Sequence, residues 1–229
     1  MMDMARHGNS RHLTRLASSM YARVSRKTTK YLAKPSAGRH SLERSIALVV
    51  LLRDKLSLAA NAGEARRVIK SGGVEVNGRK VSDDKYPLGF GDVVKLVQTG
   101  ESYAVGVGKH GDIKLEKAGK EHGRTLKVVG KYLASGKKVM LRLYDGSTVP
   151  GESSTRVNDS VVLEGSKVKS VLKMSNGAKC IVIKGAHTSE TGVIKELKAG
   201  GATSVAAAKI EGDGSTFETP VENIMVIGA

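Results

Sequence analysis

The sequence predicts a multidomain protein of the α+β class, in which a short helical part is followed by many strands. Its 229 residues exceed one typical domain of about 100–200 residues. Apolar residues recur at helical spacing between Ser41 and Gly72, whereas later segments alternate as strands do. Aromatic residues make up only 3% of the chain, so each core must consist of small aliphatic side chains. We expect four regions, at residues 1–40, 41–99, 100–175 and 176–229.

The chain is strongly basic, with 38 Lys and Arg against 22 Asp and Glu and a net charge of +16. Such a charge attracts polyanions, and nucleic acid is the first partner to consider. Basic residues dominate residues 1–40, where Asp3 is the single acidic residue, whereas residues 176–229 are slightly acidic. We therefore expect the nucleic-acid surface to be N-terminal and central.

Residues 1–40 form a basic N-terminal extension that buries little apolar surface by itself. Leucines and the tyrosines Tyr21 and Tyr31 alternate with cations, a combination suited to stacking and phosphate contact. We predict an arm that contacts RNA, although a solvated basic tail has a similar composition. Its candidate contacts are Arg11, Arg15, Arg26 and Lys27. Pro35 and Gly38 then interrupt regular structure and separate the arm from the next region.

The apolar runs are short, and the chain has one cysteine. The longest run, Ile46 to Leu52, is far below the roughly 20 residues that cross a bilayer. We expect no secretory signal, since no apolar stretch follows the first basic residues. Cys180 has no partner for an internal disulfide, which fits a reducing, cytoplasmic compartment. Its apolar neighbours predict a small buried hydrophobe and not a reactive thiol.

Residues 41–99 read as two helices followed by a hairpin. Ser41 is a candidate N-cap for a buried helix that continues through Leu56. A second helix opens at Asn61 or Ala62, stops at Gly72-Gly73, and projects Arg66, Arg67 and Lys70 outward. Val74 to Val76 alternates as a strand, Asn77-Gly78 is a strong turn signal, and Lys80 begins the return strand.

This region resembles the alpha-L (S4-type) RNA-binding domain of ribosomal proteins, rRNA methyltransferases, pseudouridine synthases and tyrosyl-tRNA synthetases. The shared residues are Glu64-Ala-Arg66, Ile69, Gly72-Gly73-Val74, Val76-Asn77-Gly78, Tyr86 and Gly91-Asp92. The resemblance implies RNA contacts from Arg66, Arg67, Lys70, Asn77, Arg79 and Lys80, with Arg44 and Arg53 as second choices. Two alternatives stay open: Arg53 can pair with Asp54, and Asn77 can serve only to hold the turn.

Residues 100–175 and 176–229 read as two small β units. The first contains short β-type runs and an Asp145-Gly146 hairpin, and we expect a β-barrel-like or sandwich domain. In the second, Cys180 to Gly185 and Glu190 to Ile194 resemble a KOW signature, which implies a KOW/SH3-like β-barrel; Ser189 stands where that pattern often has glycine. We expect one closing strand from Phe217 to Ile227. RNA and a protein are equally plausible partners of this unit.

The whole chain is similar to the archaeal and eukaryotic small-subunit ribosomal protein S4e family. The residues are Arg11-His-Leu-x-Arg15-Leu16, Lys34-Pro35-x-x-Gly38-x-His40-Ser41-Leu42 and Arg44-Ser45. The resemblance implies a structural constituent of the small ribosomal subunit, located on cytoplasmic ribosomes. Its partners would be small-subunit rRNA and neighbouring ribosomal proteins, with no membrane, cofactor or small-molecule substrate.

Catalytic and metal sites are poorly supported by the sequence. Gly106 to Gly111 matches a dinucleotide fingerprint by spacing, but Asp112 onward reads as a strand where a helix is required. The six histidines show no His-x-x-x-His pair, and we expect no metal site. His40 lies among cations and is either a phosphate or base contact or simply exposed. The alternatives are an RNA-modifying enzyme of the pseudouridine-synthase type and a KOW-type transcription or RNA regulatory binder.

Overall fold

A computed structural model describes residues 12–24, 30–119, 124–165, 167–201, 204–212 and 214–228. The predicted contacts Arg11, Arg26 and Lys27 lie outside this part of the chain. The helical elements are α1 (Leu48–Val50), a π-helical turn (Leu51–Lys55) that continues it, α2 (Ala62–Lys70), and 3-10 turns at Arg15–Ala17, Met20–Ala22, Leu42–Arg44, Ser135–Lys137 and Val221–Asn223. None of the helices in the described ranges is long and apolar enough to cross a membrane.

Strands are the predominant secondary structure of the described residues, and they are grouped into three five-stranded sheets and two short pairs. The strands are β1 (His12–Thr14), β2 (Tyr31–Ala33), β3 (Ile46–Ala47), β4 (Val74–Val76), β5 (Arg79–Lys80), β6 (Pro87–Leu88), β7 (Val93–Leu96), β8 (Ser102–Val107), β9 (Ile113–Ala118), β10 (Arg124–Ala134), β11 (Lys138–Leu143), β12 (Thr148–Pro150), β13 (Ser160–Glu164), β14 (Lys167–Leu172), β15 (Lys179–Val182), β16 (Thr191–Lys198), β17 (Ala207–Gly212), β18 (Thr216–Pro220) and β19 (Ile224–Gly228).

The first helix begins at Leu48, so the expectation of a helix capped by Ser41 is wrong. The Ser41 side chain makes no capping hydrogen bond, and a 3-10 turn follows it. Ile46 and Ala47 are extended because they pair with β6 as strand β3. This pairing joins segments about forty residues apart, and it overrides the local helical spacing of the apolar residues.

The second helix, α2, agrees with the sequence prediction. The Asn61 side chain accepts a hydrogen bond from the Glu64 backbone N–H at 2.9 Å, while Glu64 accepts one from the Ala60 N–H at 2.8 Å. Such paired side-chain caps satisfy N–H groups that a helix start leaves open. Ala65 and Ile69 are fully buried beneath the helix. Its basic residues therefore lie on the solvent side.

The first sheet has the strand order β5-β4-β7-β8-β9. Asn77 and Gly78 form the predicted turn between β4 and β5, both with positive φ, as a type I′ hairpin requires. The hairpin β8–β9 continues the sheet from β7, and Val105, Val107 and Ile113 belong to the same core. The sheet thus crosses the predicted boundary between residues 99 and 100, and the first unit extends to Ala118.

The second sheet has the order β12-β11-β10-β13-β14 and packs over an aliphatic core. The long strand β10 is shared: its first part pairs with β13 and its second part pairs with β11. A register shift between Val128 and Gly130 separates the two parts. Bulges of this kind bend a strand, so β10 can serve both halves of the unit.

The third sheet, of order β18-β17-β16-β15-β19, contains the KOW-like segment. Ser189 has a φ of 73°, the left-handed conformation that glycine adopts readily. Cys180 is buried, as the sequence predicted, and burial raises the pKa of its thiol to about 11. The single closing strand from Phe217 to Ile227 is wrong, because a 3-10 turn after Pro220 divides it into β18 and β19.

Candidate nucleic-acid interface

Five of the predicted contacts lie on α2 and β5, and all five side chains are exposed. We call them the α2–β5 surface, which consists of Arg66, Arg67, Lys70, Arg79 and Lys80. Among these five described residues, Arg66 alone makes an ion pair, with its Nε 2.9 Å from Asp84 Oδ2. That pair ties α2 to the loop that follows β5. Arg67, Lys70, Arg79 and Lys80 remain available to a polyanion.

Asn77 is engaged inside the protein at both ends of its amide. Its Nδ2 donates to Asp92 Oδ1 at 2.8 Å, and its Oδ1 accepts from the Val93 N–H at 2.9 Å. The residue also holds the left-handed turn conformation, with a φ of 52°. Of the two interpretations that the sequence left open, the geometry supports a structural role for Asn77.

Arg53 and Arg44 differ from each other in their surroundings. Arg53 makes two hydrogen bonds to the Asp54 carboxylate, at 2.8 and 2.6 Å, and its side chain is only 16% exposed. This is the local ion pair that the sequence allowed. Arg44 is exposed, and its Nη1 donates to the Tyr144 hydroxyl at 3.2 Å. Of these two second choices, Arg44 keeps the accessibility that RNA contact requires.

The described part of the N-terminal arm packs on the first unit. β1 and β2 pair, and Arg15 donates its backbone N–H to the Lys30 carbonyl. Tyr21 is buried, whereas Tyr31 is exposed and has the Lys30 ammonium 5.4 Å from its ring centroid. The sequence pattern indicates the same role for the two tyrosines, but Tyr21 belongs to the core and Tyr31 is the one accessible for stacking.

A buried hydrogen-bond network around Asp92 is the feature that sequence reasoning missed. His40 Nε2 donates to Asp92 Oδ2 at 2.8 Å, and the Gly89 N–H donates to the same oxygen at 3.0 Å. Burial by itself would raise the pKa of Asp92, but the hydrogen bonds from His40, Asn77 and Gly89 and the charge of His40 lower it overall. His40 is thus buried against a carboxylate, contrary to the interpretation that it is simply exposed.

The Asp92 network also connects the first unit to the central one. Arg124, at the start of β10, places Nη2 3.4 Å from Asp92 Oδ1 and 2.8 Å from Asp145 Oδ2. Its Nε donates to the Gly91 carbonyl at 2.9 Å. Asp145, which was expected only to form a turn, is fully buried as the second carboxylate of this pair. We call these residues, with His40 and Asn77, the Asp92 network.

Two glycines provided a signal for this network, although the sequence could not give its partners. A Cβ at Gly89 would lie 2.4 Å from His40 Nδ1, and one at Gly91 would lie 2.4 Å from a Leu126 methyl. Both contacts are far below normal van der Waals separation. Gly89-Phe-Gly-Asp92 is therefore a place of close packing between elements as well as a turn. Among the described residues, no group of three or more His, Cys, Asp or Glu could hold a metal ion.

Comparison with known proteins gives two family models and many relatives, several of them matched over nearly their whole length. An S4 domain matches residues 48–94, and the model "Ribosomal family S4e" matches residues 99–188. Small ribosomal subunit protein eS4 of Methanocella arvoryzae is 33% identical over 222 residues, covering 95% of this chain and 94% of that protein. The protein of the same name from Methanothermobacter thermautotrophicus is 34% identical over 230 residues, covering 98% and 95%.

A solved structure has a similar fold over most of the chain. It is the crystal structure of the 30S ribosomal protein S4e from Thermoplasma acidophilum, with a TM-score of 0.70 and 30% sequence identity. The match covers 81% of this chain and 96% of the other. Sequence and fold thus indicate the same family over most of the chain.

Proposed function

The chain belongs to the ribosomal protein S4e family, and from this premise we propose which of its residues hold the rRNA. It is a structural constituent of the small ribosomal subunit that binds rRNA, and not an enzyme. The single observation that carries the residue assignment is the α2–β5 surface, whose four available cations are exposed on α2 and β5 of the S4 domain. Phosphate groups of folded RNA are the natural counterpart of such a surface.

The five cations of the α2–β5 surface contribute unequally in this proposal. Arg67 and Lys70 lie on the solvent side of a capped, well-packed helix, so their positions are fixed before binding. Arg79 and Lys80 follow the rigid Asn77-Gly78 turn on an edge strand. Arg66 contributes less, because its ion pair with Asp84 must be weakened before it can serve a phosphate. The contacts are therefore centred on Arg67 and Lys70.

The outer regions of the chain fit the same role. The basic arm, including Arg15 and the residues outside the described ranges, would follow neighbouring rRNA. The third sheet would form a KOW/SH3-like barrel whose slightly acidic composition suits contact with a neighbouring ribosomal protein, and the central sheet would complete a barrel-like domain. The ribosomes concerned would be cytoplasmic.

A double substitution tests the assignment. Arg67→Gln with Lys70→Gln should weaken binding to a small-subunit rRNA transcript about tenfold at fixed salt, because two charge-assisted phosphate contacts are lost. The slope of log affinity against log salt should fall by about 0.7–0.9 for each lost contact. Filter binding across a salt series measures both quantities.

The matched control neutralises two exposed lysines of the acidic C-terminal unit, Lys179→Gln with Lys209→Gln. It removes the same charge, so a general electrostatic effect would weaken both proteins equally. Thermal unfolding of each variant should stay within about 1 °C of the wild type, as exposed substitutions seldom change stability. Equal affinities for test and control variants would contradict the assignment.

A further inference from the structure

A basic cleft lies where the four parts of the chain meet. Its volume is about 520 Å3, and it is lined by Tyr21 from the arm, Arg44 from the first unit, Tyr144 from the central unit and Lys184 from the C-terminal unit. We call it the Tyr144 cleft. A volume in the range of about 300–1,000 Å3 is typical of sites for single small ligands. The cleft is wide enough for one nucleotide and too small for a double helix.

The charges that line the cleft are poorly balanced. Among the described residues, the lining includes three arginines and two lysines but one carboxylate, that of Glu222. Lys127 is already engaged, since its Nζ donates to the Val221 and Glu222 carbonyls at 2.7 and 3.0 Å. Arg39 lies 3.9 Å from Asp145. The cations left facing the cleft are Arg44, Arg142 and Lys184.

Two of these cations converge on one aromatic ring. The Arg44 guanidinium carbon lies 5.9 Å from the Tyr144 ring centroid, and the Lys184 ammonium lies 5.7 Å from it. Burial and the nearby charge of Arg44 both lower the pKa of Lys184. Like charges held this close repel each other, and an anion between them would remove that cost. The ring itself is fixed by an edge-on contact with Phe90, at a centroid distance of 6.0 Å.

A second, independent observation comes from Tyr21. Its side chain is 8% exposed and lines the cleft, and its hydroxyl lies near the Phe90 backbone. The hydroxyl nevertheless has no hydrogen-bond partner of normal geometry among the described residues. Buried hydroxyls are almost always hydrogen-bonded, so an unsatisfied one beside a cationic cleft indicates a ligand with acceptor oxygens.

We propose that the Tyr144 cleft binds a single nucleotide of an unpaired rRNA segment, with its phosphate between Arg44 and Lys184. Arg142 would hold the adjacent phosphate, and the base or sugar would lie against the tyrosines that line the cleft. Arginine forks match phosphate oxygens, and unpaired RNA segments are recognised by aromatic and cationic groups together. The site rests on the proposed function and adds a second anchor, away from the α2–β5 surface, that would fix the relative orientation of three units on the RNA.

Neutralising both cations tests the proposal in the full-length chain. Arg44→Gln with Lys184→Gln should bind the small-subunit rRNA transcript about 10- to 100-fold more weakly than the wild type. The control variant Lys179→Gln with Lys209→Gln should stay within about threefold. Relief of the repulsion between the two cations opposes the loss of the Arg44–Tyr144 hydrogen bond, so the melting temperature should stay within about 2 °C of the wild type. With a transcript containing 4-thiouridine, photocrosslinked nucleotides should map to peptides that contain Tyr21 or Tyr144.

The outcomes separate this site from the rRNA-binding role itself. If the Arg67/Lys70 variant loses affinity but the cleft variant equals its control, the cleft proposal is overturned and the rRNA-binding role stands. If the cleft variant binds naked rRNA normally but fails to recruit a neighbouring protein during subunit reconstitution, the occupant is a protein and the proposal is likewise overturned. If the wild type binds the rRNA transcript no more tightly than an unrelated RNA, the cleft proposal and the proposed rRNA-binding role are both overturned.

Discussion

The Asp92 network and the Tyr144 cleft lie side by side at the same junction of units, and they treat charge in opposite ways. In the network, each buried carboxylate accepts a hydrogen bond: Asp92 accepts one from His40, and Asp145 accepts one from Arg124. In the cleft, Arg44 and Lys184 face a shared ring with one carboxylate among the described lining residues. His40 and Arg39 are neighbours in sequence and border both.

The charged groups of the Asp92 network hold the junction between units together, whereas those of the Tyr144 cleft are accessible to a ligand. Buried charges that are fully paired hold elements in place, and breaking such a pair leaves its other member uncompensated. Accessible charges add little to stability, and a ligand of opposite charge can neutralise a cluster of like charges. Substitutions in the network should therefore change stability, and substitutions in the cleft should change affinity.

The largest expected effect is that of Asp92→Ala. The substitution leaves His40 and Asn77 without their acceptor and removes one of the two carboxylates beside Arg124. The free energy of unfolding should fall by about 3–5 kcal/mol, as for other broken buried pairs. Urea unfolding monitored by circular dichroism measures this loss. Under conditions where the variant is folded, its rRNA affinity should match that of the wild type.

The pH dependence of this loss provides its control. The pKa of Asp92 lies below its unfolded value of 3.8 in the folded chain, so the carboxylate stabilises the fold fully above about pH 4. As the pH falls further, the carboxylate is protonated and the difference between wild type and variant should shrink. The prediction is wrong if the difference in unfolding free energy between wild type and Asp92→Ala stays constant down to pH 2. It is also wrong if that difference is below about 1 kcal/mol at pH 7, since the network would then contribute little to stability.

An intermediate effect is expected at Lys127, which borders the cleft but is hydrogen-bonded to carbonyls. Burial lowers the pKa of Lys127 from 10.5 to about 8. The unfolded chain therefore binds the proton more tightly, and the penalty of charging a buried lysine applies below pH 8. Stability should rise by about 1–3 kcal/mol between pH 8 and 10.5. Lys127→Met should flatten this rise in urea unfolding series at stepped pH; an unchanged slope would argue against a buried ammonium.

The smallest effect is expected at Arg53, a predicted RNA contact that is paired with Asp54. Arg53→Gln should leave rRNA affinity within about twofold of the wild type and lower stability by about 1 kcal/mol or less. Equilibrium binding and thermal unfolding of one preparation measure both. A tenfold loss of affinity would show that pairing with a neighbouring carboxylate does not remove a cation from RNA contact. The distinction between paired charges that stabilise and accessible charges that bind RNA would then be wrong.

Local patterns in the sequence predicted the local structure well. The cap and stop signals of α2, the Asn77-Gly78 turn and the strand after Gly111 are all present, since each depends on neighbouring residues. Pro35 and Gly38 also mark the end of the arm. The basic face of α2 followed from the burial of Ala65 and Ile69 on its other side.

Long-range pairing caused the errors. Ile46 is extended because it meets Leu88, and His40 is buried because it meets a carboxylate 52 residues later. The β8–β9 hairpin belongs to the first sheet because β7 has a free edge, which its own residues do not reveal. The Tyr144 cleft combines side chains from four regions, so no segment of the sequence contains its pattern.

The Asp92 network has a consequence for the order in which a growing chain folds. Asp92 can meet His40 and Asn77 as soon as the first unit has been synthesised, but Arg124 is added 32 residues later and Asp145 another 21 residues after that. The nascent first unit therefore remains incomplete until the first part of the central unit, up to Asp145, has left the exit tunnel. Translation must proceed well past the S4 domain before that domain reaches its final stability.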